Sequence, residues 1–221
     1  MSMKAERSIC CKELMKTEVL DSKGNSVGKI GDLTFSFDRE LKLSKFILSG
    51  SRWEELMESL HVKPDRDPVF DESIIDRIDD HVHLETTLEH LKTTLDEDAI
   101  PEHDIKYSTL QKMDIIDKDG QKIGHALDID FDIDGTVSMI VGGGFIEEKL
   151  EAIGFKADVD IIVPGHTISS ITNEIHLNVS KDDLETTMED AMKSAKSIRA
   201  KETREVTRQV TKVRLFTQRP F

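Results

Sequence analysis

The residues best suited to chemistry lie between Asp128 and Gly135, where Asp128, Asp130, Asp132 and Asp134 alternate ahead of a glycine. D-x-D-x-D-G opens a calcium loop, in which closely spaced carboxylates curl round one hard cation. With Asp130 as first position, the twelfth is Val141, where such a loop needs a bidentate glutamate. Ile129, Phe131 and Ile133 interleave with the acids. That period of two predicts a strand holding its carboxylates along one solvated face, so no ion is expected there. His81 and His83 lie two apart on a predicted strand and share a face, an acceptable metal-ligand geometry. Asp79 and Asp80 are near, but no acid or cysteine with metal-site spacing joins them, and surface histidines are expected. Gly142-Gly143-Gly144 lacks the lysine and hydroxyl of a phosphate loop, and Glu147-Glu148 would repel an anion, so a turn is expected. His125 and His166 have no visible base, nucleophile or oxyanion partner, and no serine occupies a nucleophile elbow. No catalytic set, cofactor or metal is expected, and the chain is not expected to be an enzyme.

The elements that would position these residues are duplicated. Met113–Asp134, MDIIDKDGQKIGHALDIDFDID, has a near-copy at Thr17–Asp38, TEVLDSKGNSVGKIGDLTFSFD. Asp117 falls on Asp21, Gly120 on Gly24, Gly124 on Gly28 and Phe131 on Phe35. In each copy an aspartate and a glycine form a turn, where glycine takes positive φ and the carboxylate bonds the backbone. Gly28 and Gly124 fall inside strand patterns and are expected to be bulges or barrel corners. A long strand, a turn and a further strand follow, which favours an antiparallel meander. Ser51–His61 and Phe145–Phe155 read as short helices. The closing strands carry Ile74, Ile75, Ile78 and Val82 in one copy, and Ile168, Ile171, Ile175 and Leu177 in the other, so that His83 aligns with His176. Thr87 and Ser180 are expected N-caps of the helices that follow. Leu88, Leu91 and Leu95 form a short stripe in the first copy, and Leu184, Met188, Ala191, Met192, Ala195 and Ile198 a longer one in the second.

The expected architecture is mainly β with short helices: two tandem small antiparallel β-barrels, then a helix and a tail. Its divisions are a first repeat over 12–95, an acidic linker over 96–107, a second repeat over 108–180, an amphipathic helix over 181–200 and a basic tail over 201–221.

Composition narrows the function. The 221 residues carry a formal net charge of −14. That opposes non-specific nucleic-acid binding, which depends on cations neutralising phosphates. Cys10 and Cys11 are adjacent, which suits a reduced pair rather than a disulfide framework. No apolar run approaches the roughly 18 residues of a membrane span, so a cytoplasmic protein is expected. In the tail, Lys201, Arg204, Arg208, Lys212, Arg214 and Arg219 oppose only Glu202 and Glu205. It reads either as a frayed segment on its own acidic surface or as a docking peptide. In the second case Val213, Arg214, Leu215 and Phe216 are the candidate partner-binding residues.

With the meanders set out, the chain resembles a tandem of PRC-barrel domains. The resemblance is carried by IIDKDGQKIGHALDIDFD, then VSMIVGGG, then DIIVPGHTISSITNEIHLNVS in the second copy. The first copy departs in the middle, where Lys63–Pro68 replaces the Val163-Pro164 stretch. The resemblance implies a protein-interaction module. The family serves that role in the reaction-centre H subunit, in a ribosome-maturation factor and in archaeal cell-division proteins. It therefore implies a non-enzymatic adaptor of archaeal type, acting through a strand edge or the tail and able to homo-oligomerise. A ribosome-maturation-like factor binding a basic ribosomal protein, and a small-molecule or metal-binding regulatory module, are the alternatives.

Overall fold

The computed structural model describes residues 8–15, 17–49, 67–131, 136–152, 159–199 and 211–216. The helix expected over Ser51–His61 lies outside them, as do Asp132 and Asp134. Among the described residues the strands form two eight-stranded sheets, each curled into a half-barrel. The chain divides into two compact units, residues 1–110 with 130–137, and residues 111–129 with 138–221.

The first sheet is built from β2 (Glu18–Leu20), β3 (Ser26–Phe37), β4 (Leu41–Ser49), β5 (Pro68–Phe70), β6 (Ile75–Ile78), β7 (His81–Leu84) and β8 (Lys92–Thr93). Its order is β6-β7-β2-β3-β4-β5-β8. β9 (Ile105–Lys106) also pairs with β3, through Thr34 and Phe35. The second sheet is built from β10 (Asp114–Ile116), β11 (Lys122–Phe131), β12 (Val137–Gly142), β13 (Val159–Pro164), β14 (Ile168–Ile171), β15 (Ile175–Leu177) and β16 (Thr211–Arg214). It repeats the order as β14-β15-β10-β11-β12-β13-β16, with β1 (Ile9–Cys10) pairing on β11. The sheets are mixed rather than purely antiparallel: β2 pairs with β7, β10 with β15 and β13 with β16 in parallel. The closing hairpin of each copy folds back so that its second strand lies beside the first strand of the meander.

Local chemistry explains the shared turns. Asp21 accepts the backbone N–H groups of Lys23 and Asn25, each at 2.9 Å, and Gly24 takes φ +78°. Asp117 does the same for Asp119 and Gln121 at 3.0 and 2.7 Å, with Gly120 at φ +81°. The sequence alignment of these residues is thus an alignment of conformations. The ladder slips one residue between Val19 and Leu20 opposite Gly28, and between Ile115 and Ile116 opposite Gly124. Those are the irregularities expected at the two strand glycines.

Aromatic rings fill the first unit's core. Phe46 stacks on Phe70 with centroids 4.8 Å apart, and Phe35 stacks on Phe131 at 5.9 Å. Aligned rings at that spacing add to the burial each supplies. Two short helices seal it, Cys11–Leu14 after β1 and Tyr107–Leu110 after β9, each burying its leucine completely.

Several expectations fail for identifiable reasons. Thr87 makes no side-chain cap, and only the 3₁₀ turn Leu88–His90 follows it. The leucine stripe spans too little chain to nucleate a helix. Lys92–Thr93 instead satisfies the outer edge of β5. The expected linker 96–107 also carries structure: Asp104 accepts Thr34 Oγ1 at 2.8 Å and Ile105–Lys106 forms β9. By contrast, Ser180 caps the helix Lys181–Arg199, which buries Leu184 and Met188 completely. The helix expected over Phe145–Phe155 runs from Gly144 to Ala152.

Candidate functional site

A sheet edge is competent to bind because its backbone N–H and C=O groups lack partners until another strand arrives. β13 is such an edge, and β16 lies along it in parallel, with Ile161 opposite Val213 and Ile162 opposite Arg214. Leu215 N donates to Ile162 O at 2.9 Å and extends the pairing. Side chains alternate accordingly: Lys212 is exposed, Val213 buried, Arg214 half-buried and Leu215 fully buried. Phe216 ends the run at φ +50° and is half-buried. The expected anchors are therefore occupied by the chain's own second sheet, neither frayed nor projecting into solvent. The helix Lys181–Arg199 contacts β16 in the same unit.

A second constellation lies on the hairpin β6–β7. Asp79 Oδ1 accepts the backbone N–H of His81 at 2.8 Å and lies 3.1 Å from His83 Nε2. That N–H bond, with His83 and Arg77, holds the Asp79 carboxyl down at about 2. His81 turns Nδ1 toward Asp79 Oδ1 at 3.9 Å and Nε2 toward Glu18 Oε2 at 3.6 Å. One ligand atom from each of Asp79, His81 and His83 lies within 4.8 Å of the others. The expectation that no acid joins the two histidines is thus corrected. The hairpin turn brings Asp79 back over β7, and spacing along a strand does not reveal a turn's return.

The aspartate run is also corrected. Asp128 is buried and Asp130 completely so, rather than lying on a solvated face. Asp130 accepts Ser8 Oγ at 2.9 Å and Cys10 Sγ at 3.4 Å, because β1 covers the end of β11. Asp128 accepts the N–H of Ile129. Both carboxylates are buried and already accept hydrogen bonds, Asp130 from Ser8 and Cys10 and Asp128 from its neighbour's N–H, so neither is free on a solvated face to join an open ligand shell.

The glycine run behaves as a turn, with Gly143 and Gly144 at φ +74° and +50°. His125 and His166 are exposed. A cleft of about 240 Å³ is lined by Lys45, Phe70, Asp71, His90 and Lys92. That volume falls below the roughly 300–1,000 Å³ of typical ligand pockets, and Lys45 is paired with Asp71 at 3.2 Å. Sequence reasoning missed this cleft. Its walls come from β4, β5 and the 87–99 segment, which no spacing connects.

One comparison with known families falls on part of this half-barrel. Residues 102–184 match the PRC-barrel domain. A comparison with curated proteins finds no match. The PRC-barrel match begins at the loop before β9 and ends in the first turn of the capped helix. It therefore spans the meander, β13 and the closing strands, and stops before β16. The covered edge belongs to the PRC-barrel segment, and the strand covering it comes from outside.

Proposed function

We propose that the protein is a non-enzymatic interaction adaptor or scaffold that recognises an extended peptide by adding it to the β13 edge. The observation that carries this reading is β16. A parallel four-residue strand with alternate side chains buried is the mode in which sheets take up peptides. Main-chain bonds supply affinity, and the sites filled by Val213 and Leu215 supply selectivity. A partner bearing an apolar residue at alternate positions, with bases between, would copy the Lys212–Leu215 pattern and suit the net charge of −14. Such a scaffold would act in the cytoplasm, in archaeal cell division by the family resemblance.

The test is a chain ending at residue 200 titrated with a labelled peptide of residues 208–216. Saturable binding, lost when Val213 and Leu215 are both changed to Asp, is the expected result. No binding to a truncated chain that still unfolds cooperatively would sink the reading. The strong negative charge also favours a second reading, a ribosome-maturation-like factor holding a basic ribosomal protein. Co-sedimentation with ribosomal subunits at low salt distinguishes it.

A further inference from the structure

We propose that Asp79, His81 and His83 form a binding site for one divalent first-row transition cation on the β6–β7 hairpin. The three ligand atoms would be Asp79 Oδ1, His81 Nδ1 and His83 Nε2. Two imidazoles and one carboxylate, with water completing the shell, match open zinc-type sites and exclude calcium or magnesium, which take oxygen. Around a tetrahedral ion at roughly 2.0 Å, ligand atoms stand roughly 3.3 Å apart. Asp79 Oδ1 is already 3.1 Å from His83 Nε2 and 3.9 Å from His81 Nδ1. Small side-chain adjustments close the remaining gap. The side chains of His81 and Asp79 are 41% and 44% exposed, so an ion reaches them from solvent.

Two further observations point to a ligand. Glu18 sits across the ladder, directly opposite His81, and faces its Nε2. At 3.6 Å the contact is longer than a hydrogen bond, and a small turn of the ring would let the carboxylate accept from Nε2 and favour the tautomer that leaves Nδ1 free, the usual support of a metal-bound histidine. The second observation is an internal control. The other copy builds the same hairpin, with Thr172 N donating to Glu174 O at 3.0 Å as Asp79 N does to His81 O at 3.0 Å. There Thr172 stands for Asp79 and Glu174 for His81, with only His176 matching His83. The fold therefore does not demand the triad.

Arg77 is the competing cation. Its Nε donates to Asp79 Oδ2 at 3.1 Å and its Nη2 lies 3.1 Å from His83 Nδ1. The guanidinium also holds Asp76 Oδ2 at 3.0 Å, so it retains a partner when the ion displaces it from the triad.

Calorimetric titration of the full chain with zinc chloride, and with cobalt(II) followed by visible absorption, tests the site. One equivalent of ion, with a tetrahedral cobalt spectrum, is expected. The His81→Asn/His83→Asn double variant should lose that equivalent while keeping the wild-type unfolding transition. Asp79→Asn, which preserves an acceptor for the turn, should weaken binding at least about tenfold, and Glu18→Gln about tenfold. Arg77→Gln should tighten it several-fold. An equivalent of zinc bound as tightly by the double variant would overturn the site, because the ion would then lie elsewhere. Absence of binding to the folded wild type would overturn it too. Unchanged or weaker affinity in Arg77→Gln would overturn the displacement step.

Discussion

Gly120, read as a turn glycine, and Gly124, read as a strand glycine, are required for different physical reasons. Gly120 needs its left-handed φ of +81° but has open space around it. A Cβ on Gly124 would meet the carbonyl oxygens of Gly142 and Gly143 at 2.3 and 2.9 Å. Backbone cannot swing aside as a side chain can. Gly120→Ala should therefore cost about 1–2 kcal/mol from backbone strain alone, and Gly124→Ala more, at about 3 kcal/mol. Urea unfolding of the two variants checks the order, and equal losses would refute the close approach. The aspartates show how far residue type is legible. Asp21 and Asp117 could be read from the turn that follows each, because their partners lie within four positions. Asp130 could not. Its partners Ser8 and Cys10 are remote in the chain, and alternation with apolar residues looks the same whether the polar face meets water or a covering strand.

At the scale of elements, caps and edges decide what a pattern becomes. Ser180 Oγ accepts Asp183 N at 3.1 Å, and the Asp183 carboxylate accepts Ser180 N at 3.0 Å, a reciprocal capping box. Thr87, its sequence counterpart, only meets His90 Nδ1 at 2.9 Å. Ser180→Ala should lose about 1 kcal/mol, and Thr87→Ala less than about 0.5 kcal/mol. Ser180, by side chain and backbone, holds the Asp183 carboxyl at about 2, below its ordinary value of 3.8. A carboxyl whose folded pKa is depressed stabilises the fold above its unfolded pKa and ceases to do so as pH falls through the folded value. The penalty of Ser180→Ala should therefore shrink as pH drops from about 4 to about 2, measured by urea unfolding across that range. A penalty independent of pH would assign the cap to the hydroxyl alone. The helix was legible because its cap, stripe and charges agree. Leu88–Leu95 offered the stripe alone, and the unpaired edge of β5 claimed that segment instead.

For the whole molecule, duplication was legible and its consequence was not. The segment leading into the second copy, Ile105–Leu110, pairs with β3 of the first copy. The segment leading into the first copy, Ile9–Leu14, follows the same rule and starts on Asp130 and Phe131, the counterparts of Thr34 and Phe35. Ser108 binds Asp32 through its N–H at 3.2 Å and its hydroxyl at 2.7 Å, which anchors the first of these contacts. No pattern within one copy announces a partner supplied by the other, so a linker over 96–107 was the natural reading. A fragment of residues 1–98 thus contains the whole first meander but lacks Tyr107, Leu110 and Phe131, all at 2% exposure or less. Each such side chain contributes about 1.5–3 kcal/mol by burial. Their combined loss rivals the about 5–15 kcal/mol that holds a typical domain together. The fragment should fail to show a cooperative thermal transition, and supplying residues 99–221 in trans should restore one. A fragment melting alone with the full chain's sharpness would mean that the first sheet closes without its borrowed strands.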